Sequence, residues 1–186
     1  GQAWFDEDWA RVAAAVERAL PDRSNTISRS VHGRLALVRS MSDVDPGAYY
    51  LLDLDRRRLE HLVGIRHDIK ADEMPRRRAV HYLARDGLEI PAILTLPRGK
   101  PPKNLPLVLY VHGGPWIRGA NWEWRDEPAF LASLGYAVLE PHFRGSTGLG
   151  RRHYTAGFKQ WGLAMQDDLD DGVDWMVAQG TVDAKR

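Results

Sequence analysis

The 186-residue chain contains no cysteine. This absence excludes disulfides, thiolate nucleophiles and cysteine metal sites, and it fits a reducing cytosol, although a periplasmic protein can share it. We therefore predict a cytoplasmic location, with the periplasm as the alternative. The sequence motifs point to no cofactor and no metal.

The chain also lacks a long apolar run and an excess of either charge. No stretch approaches the ~20 apolar residues that a membrane-spanning helix needs. Twenty-six Lys and Arg residues against 25 Asp and Glu residues give a net charge of +1, so no global field attracts nucleic acid or anionic lipid. The basic clusters Arg56–Arg58 and Arg76–Arg78 lack interleaved aromatics, and we expect them in solvated loops or strand ends. We predict neither a nucleic-acid partner nor a membrane partner.

Residues 1–70 are predicted to form a helix followed by a small antiparallel sheet. From Glu7 to Leu20 the apolar residues fall on one helical face, and Pro21 ends the pattern. The period then changes to that of short strands separated by turns. The four predicted strands are Thr26–Val31, Arg34–Met41, Ala48–Asp53 and Arg58–Ile65. Such a sheet has the size of one β-propeller blade.

Residues 71–186 alternate strands and helices after a leading hairpin. Asp86-Gly87 is a strong hairpin signal. The predicted elements are strands over Ala79–Ala84, Leu88–Leu96, Leu105–Val111 and Tyr136–Leu139, and helices over Glu127–Leu134 and Gln166–Gln179. This order is typical of the N-terminal half of an α/β-hydrolase sheet, so the predicted fold class is α/β.

The most informative motif is His112-Gly113-Gly114-Pro115, which follows the apolar strand directly. Paired glycines at the end of a buried strand present backbone N–H groups that no side chain obstructs, as an oxyanion-binding loop requires. A loop of this kind serves a nucleophile in a Gly-x-Ser-x-Gly turn, and that motif is absent from these 186 residues. We interpret Ser146 as a turn residue.

The stretch from Arg85 to Arg186 resembles the prolyl oligopeptidase family of serine peptidases, in particular its dipeptidyl aminopeptidase and acylaminoacyl peptidase branch. The resemblance rests on a series of motifs in one order: Arg85-Asp86-Gly87, Ile90-Pro91-Ala92, His112-Gly113-Gly114-Pro115-Trp116, Gly135-Tyr136-Ala137-Val138-Leu139, Phe143-Arg144-Gly145-Ser146-Thr147-Gly148, Gln160-Trp161-Gly162, Asp167-Asp168-Leu169 and Asp174-Trp175. The earlier residues resemble, more loosely, the end of the β-propeller that precedes the hydrolase domain in this family.

The resemblance implies hydrolysis of short peptides through an acyl-enzyme. It implies that Gly114 donates its N–H to the oxyanion, that Gly113 gives the loop its freedom, and that His112, Pro115 and Arg144 shape the site. The second N–H donor and the Ser, Asp and His triad are expected beyond Arg186, so the chain by itself is expected to be inactive.

Further site residues follow from position and residue type. The side chains that we predict to wall an apolar substrate pocket are Trp116, Trp122, Trp124 and His142. His142 stands where the family commonly has Asn, and a histidine at a site rim can titrate near neutral pH; a tolerated surface substitution is the alternative. We expect His153 to face solvent. The acidic cluster Asp167–Asp171 is expected to be solvated, complementing the helix dipole.

Two other functions remain open. A His-Gly-Gly loop also serves esterases and lipases, so the parent protein could cleave esters. The chain could instead be a non-catalytic interaction module. Because the partner strand of Leu105–Val111 in a complete hydrolase sheet is absent, we also expect an exposed sheet edge and self-association through it.

Overall fold

The computed structural model describes residues 2–185, and the chain divides into two compact units, one up to Met74 and one from Pro75. The predictions about residues beyond Arg186, and the terminal residues Gly1 and Arg186 themselves, lie outside the described part. Each unit has its own sheet and its own core.

The first unit begins with helix α1, Glu7–Ala19. The Asp6 carboxylate accepts a hydrogen bond from the N–H of Trp9 at 2.9 Å and caps the helix. Acidic residues stand in the first turn and Arg18 in the last, as the helix dipole favours. Trp9 and Val16 pack into the core from one face of α1.

The sheet of the first unit is an antiparallel meander in the order β1-β2-β3-β4. Its strands are β1 (Ser24–Arg29), β2 (Leu35–Met41), β3 (Ala48–Asp53) and β4 (Arg58–Gly64). Val38 is fully buried at the centre of β2, against α1. Gly47 has a φ of +99°, and a Cβ there would lie 2.2 Å from the Ser40 carbonyl oxygen, so the turn before β3 requires glycine. The predicted helix and blade-sized sheet are therefore present.

The second unit has a mixed sheet in the order β5-β6-β8-β7. Its elements are β5 (Arg77–Leu83), β6 (Glu89–Thr95), β7 (Leu107–Leu109), α2 (Asp126–Ser133), β8 (Ala137–Pro141), α3 (Arg151–Thr155) and α4 (Ala164–Ala178). The first three strands in this order pair antiparallel, while β7 and β8 pair parallel through the α2 crossover. No bounds were predicted for the short helix α3.

Helix α4 packs on the sheet through close contacts that a glycine permits. The Tyr82 hydroxyl donates to the Asp168 carbonyl oxygen at 2.7 Å. A Cβ on Gly172 would lie 2.8 Å from that hydroxyl, so a larger residue would force α4 away. Burial, together with the nearby Asp168 and Asp171, raises the pKa of Tyr82, so its hydroxyl remains a donor across the physiological range.

Strand β7 lies at the end of the described sheet and is shorter than predicted. Its three residues are half-buried, and Val111 beyond it is exposed. The residues after α4 reach the start of this edge. The Leu105 N–H donates a hydrogen bond to the Thr181 carbonyl oxygen, and the Leu105 carbonyl oxygen accepts one from the Asp183 N–H. Self-association through the edge stays a prediction.

The second basic cluster, Arg76–Arg78, was expected to be solvated, and the burial of Arg77 shows that this expectation is wrong for that residue. Its side chain is 2 % exposed and lies 2.8 Å from the Glu140 carboxylate, which is equally buried. Arg125 also contacts that carboxylate, at 3.2 Å. Burial raises the pKa of Glu140, while the two arginines act in the opposite direction.

No helix within residues 2–185 is long and apolar enough to cross a membrane.

Candidate active site

The loop after β7 leaves two consecutive glycines exposed. Gly114 has a φ of +122°, a backbone conformation that residues with a side chain rarely adopt. The Gly114–Pro115 peptide bond is cis. Within residues 2–185, the N–H groups of Gly113 and Gly114 donate no hydrogen bond. The loop therefore presents backbone donors that the described part of the chain leaves open to a ligand.

His112 fixes the orientation of this loop. Its Nδ1 lies 2.8 Å from the Gly113 carbonyl oxygen. A carbonyl oxygen only accepts, so Nδ1 carries the proton. This oxygen belongs to the same peptide unit as the Gly114 N–H, and in a trans peptide the two groups point in opposite directions. The hydrogen bond from His112 thus turns the Gly114 N–H away from the imidazole.

The imidazole is held on three sides. Its Nε2 lies 2.9 Å from the Ser146 hydroxyl, and its ring stacks on Phe143 with centroids 4.5 Å apart. On a third side is Gly119, where a Cβ would lie 2.1 Å from the ring carbon Cδ2. Glycine at 119 leaves room for this ring position. The preceding Arg118 reaches the Gly148 carbonyl oxygen at 3.5 Å.

The Ser146 and His112 pair has the distance of a nucleophile and its base but not the accessibility. Ser146 is fully buried, and its hydroxyl also lies 2.7 Å from the Phe143 carbonyl oxygen. A substrate carbonyl cannot reach a hydroxyl without exposed surface. In addition, Nδ1 of His112 faces a backbone carbonyl, whereas the base of a catalytic triad is oriented by a carboxylate. The pair is suited to holding the loop.

Arg144 anchors the segment that carries Ser146. Its guanidinium lies 2.7 Å from the Asp168 carboxylate on α4 and 2.8 Å from the Asp86 carboxylate in the β5–β6 turn. The Arg144 backbone N–H also donates to Asp168, at 2.8 Å. Asp168 is fully buried, so the expectation that the whole acidic cluster is solvated is wrong for this residue. The hydrogen bonds from Arg144 lower the pKa of Asp86.

The outer carboxylates of the same cluster bind a second arginine. Arg85 donates to Asp171 through its backbone N–H and its side chain, and its guanidinium lies 2.9 Å from Asp167. The Arg85 side chain is about half exposed. The cluster is therefore a pair of ion-pair networks, and no group of acidic or histidine side chains suited to a metal ion occurs in residues 2–185.

The two histidines near this segment correct two expectations. His142 is 5 % exposed, so it is neither a surface substitution nor a group that titrates near neutral pH. Burial lowers the pKa of His142 to about 4, and the neighbouring His112, Arg118 and His153 act in the same direction. His153 does not face solvent: it is buried, and its Nε2 lies 2.8 Å from the His142 carbonyl oxygen.

We predict that His142 makes the stability of the second unit depend on pH. Its folded pKa of about 4 lies below the value of 6.5 for an exposed histidine, so the unfolded chain binds the proton first. The contribution of His142 to the free energy of unfolding is complete above pH 6.5, and it falls by about 3 kcal/mol as the pH drops to 4. Urea unfolding of the chain and of His142→Asn at pH 7 and pH 4 measures this. The variant should lose less stability than the parent on acidification, and an equal loss in both would contradict the assignment.

The surface beside the loop differs from the predicted substrate pocket. A shallow depression of about 320 Å³ is lined by His112 to Pro115 together with Trp161, Gly162 and Met165. Trp161 is 66 % exposed. None of Trp116, Trp122, Trp124 and His142 lines this depression; the Trp116 ring packs against Tyr154 and Phe158 instead. Trp161 was missed because Gln160-Trp161-Gly162 lies nearly fifty residues beyond the loop in sequence.

Comparison with known proteins identifies the family. Residues 122–186 match the model of the prolyl oligopeptidase family. The chain is also 33 % identical, over 95 % of its length, to dipeptidyl aminopeptidase BIII of Pseudoxanthomonas mexicana. The chain belongs to the prolyl oligopeptidase family. Another relative in this family comparison is the acylamino-acid-releasing enzyme of Sus scrofa, which is 40 % identical over 41 % of the chain and 10 % of the relative's length.

Solved structures share the fold. A puromycin-hydrolysing peptidase of Mycobacterium tuberculosis superposes on 83 % of the chain with a TM-score of 0.70 at 24 % identity, and the chain covers 25 % of it. The predicted fold class, half of an α/β-hydrolase sheet preceded by a helix and a blade-like sheet, is confirmed. The chain spans 28 % of the length of the Pseudoxanthomonas relative.

Proposed function

We propose that the protein carrying this chain is a serine-type peptidase that hydrolyses short peptides through an acyl-enzyme. In this proposal the chain contributes Gly114 as one backbone donor of the oxyanion hole. The observation that carries it is the exposed Gly113–Gly114 loop at the end of β7, whose N–H groups donate no hydrogen bond within residues 2–185. The membership of the prolyl oligopeptidase family supports the reaction class.

The proposed step is stabilisation of the tetrahedral intermediate. When a nucleophile attacks the scissile carbonyl, negative charge develops on its oxygen, and a donor already aimed at that oxygen lowers the barrier without reorganisation. Gly114 is preoriented by the hydrogen bond between His112 and the Gly113 carbonyl oxygen. The triad and the second donor are proposed to come from residues beyond this chain, so residues 1–186 alone are proposed to be inactive.

The proposed substrate preference is based on the depression beside the loop. The exposed Trp161 ring and the Met165 side chain supply an apolar surface next to Gly114. Apolar area beside an oxyanion site favours an uncharged substrate side chain or acyl group. The relative named as a dipeptidyl aminopeptidase and the one named as an acylamino-acid-releasing enzyme define the two substrate types to be tried.

The test compares three substrates with the protein that carries this chain: a dipeptidyl anilide, an N-acylaminoacyl anilide and a short ester. A peptidase should turn over at least one anilide, because the acyl-enzyme mechanism cleaves an amide through the same intermediate as an ester. Turnover of the ester alone would indicate that the protein is an esterase and not a peptidase. No turnover of any substrate would favour the interaction module and contradict the proposal.

A further inference from the structure

Arg118 stands beside the candidate site without a carboxylate partner, unlike the arginines described above. Arg77, Arg85 and Arg144 each contact a carboxylate at 2.8 or 2.9 Å. Within residues 2–185, Arg118 forms no ion pair, and its side chain makes one hydrogen bond, from Nη1 to the Gly148 carbonyl oxygen at 3.5 Å. A guanidinium carries five N–H donors, so most of the donors of Arg118 are open to a ligand.

Two loops bring Arg118 to the same sheet edge as Gly114. Strands β7 and β8 are parallel neighbours, so the loops that follow them lie at one edge of the sheet, where α/β proteins bind their ligands. Ile117 links the two loops, since its carbonyl oxygen accepts a hydrogen bond from the Thr147 N–H at 3.0 Å. A Cβ on Gly114 would lie 3.1 Å from the Ile117 side chain. Arg118 therefore follows a residue that packs against the Gly113–Gly114 loop.

Glycines on both sides leave the Arg118 guanidinium accessible. A Cβ on Gly148, whose φ is +80°, would lie 2.7 Å from Nη1 of Arg118 and 3.5 Å from its Cδ. The next residue along the chain is Gly119, which supplies no carboxylate to compete for the guanidinium. Arg118, Gly148 and the Gly113–Gly114 loop are all exposed. The side chain thus crosses a glycine at the surface of the same edge.

The charge of Arg118 acts on its surroundings. Burial lowers the pKa of His142, and the positive charge of Arg118 acts in the same direction. The buried Asp168 carboxylate of this unit is already bound by Arg144. A carboxylate that enters beside Arg118 would gain its attraction without breaking an existing ion pair.

We propose that Arg118 binds a carboxylate of the peptide substrate and is a specificity-determining residue, an inference that rests on the proposed function. The planar guanidinium fork matches a carboxylate and can form two parallel hydrogen bonds with it. Arg118 does not line the apolar depression beside the loop, so the two features contact different parts of a substrate. The preferred peptide therefore carries an apolar group and, separately, a carboxylate. The carboxylate is either the C-terminal group of a short peptide or the side chain of an acidic residue.

Two matched sets of peptides distinguish these two sources. Members of the first set differ only at the C-terminus, which is a free carboxylate or an amide. Members of the second set all end in an amide and have glutamate or glutamine at one position on either side of the cleaved bond. In one of the sets, the protein that carries this chain should cleave the carboxylate member with a kcat/KM about 10- to 100-fold above that of its neutral partner. Equal values in both sets would overturn the inference.

Arg118→Met tests whether this preference comes from Arg118, and Arg98→Met is the control. Arg98 is an exposed arginine in the surface turn that contains Gly99. Arg118→Met should lower kcat/KM for the preferred peptide by about 10- to 100-fold and leave the neutral partner within about twofold. Arg118→Lys keeps the charge without the planar fork and should lose part of the preference. Arg98→Met should behave like the parent. A preference that persists in Arg118→Met would contradict the assignment, and if that variant does not fold, the preference of Arg118→Lys decides.

The anilides and the ester of the previous test are chosen without a carboxylate, which separates this inference from the proposed function. Arg118→Met should turn them over like the parent. If the parent cleaves an anilide but shows no carboxylate preference, the inference fails and the proposed function stands. If the parent cleaves no substrate, calorimetric binding of both peptide sets decides. Tighter binding of a carboxylate member, lost in Arg118→Met, would support the inference without the peptidase function, and equal binding would refute both.

Discussion

Replacing Arg144 with methionine is expected to lower the free energy of unfolding of the second unit by about 3 to 5 kcal/mol. Removal of one partner leaves the Asp168 carboxylate fully buried without its cation, and the desolvation of that charge is no longer offset. The backbone N–H of residue 144 can still donate to Asp168, but methionine supplies none of the guanidinium bonds. Urea unfolding of the chain at pH 7 measures the difference.

The control is Arg85→Met, which removes the other arginine that binds the same acidic cluster. The Arg85 side chain is 53 % exposed, and the carboxylate of Asp167 beside it is also accessible to water. Water can solvate Asp167 in this variant, and the backbone N–H of residue 85 can still donate to the less exposed Asp171. The effect of Arg85→Met should therefore be much smaller. Equal destabilisation by the two variants would show that Arg144 is no more than a surface ion-pair partner.

Removing the Gly114 N–H is expected to lower kcat of the protein that carries this chain by about 10² to 10³. A side chain is a poor tool here, because a Cβ on Gly114 would meet Ile117 and the Trp116 nitrogen at 3.1 Å in a backbone conformation that favours glycine. An amide-to-ester substitution at Gly114 replaces the N–H by oxygen and adds no Cβ. The substrate should still bind, since the N–H interacts most strongly with charge that develops in the transition state.

The secondary structure was largely predictable because it follows local periodicity. Strand β3 was predicted with its observed bounds, and α1 and α4 begin and end within two residues of the predicted limits. Strand β7 is shorter than predicted because pairing with β8, and not the apolar run itself, defines its three residues. Helix α3 is a single short turn region without an apolar stripe, so the sequence carries no periodic signal for it.

The burial of charged and polar side chains was not predictable in the same way. Asp167, Asp168 and Asp171 have the same residue type and lie on one helix, yet only Asp168 is fully enclosed, by the Arg144 segment that is distant in sequence. His142 and His153 are buried for a similar reason, because the segment after β8 folds back on α3. Residue type predicts exposure on average, whereas tertiary packing decides it at each position.

The central claim, that Gly114 donates to the developing oxyanion, is tested most directly by the kinetics of the Gly114 amide-to-ester protein on an anilide substrate that the parent protein cleaves. The same substitution at Gly99, in a surface turn with open space around it, is the control. The account predicts that kcat falls by about 10² to 10³ at Gly114 with little change in KM, and that the Gly99 protein behaves like the parent. An unchanged kcat in the Gly114 protein would contradict it.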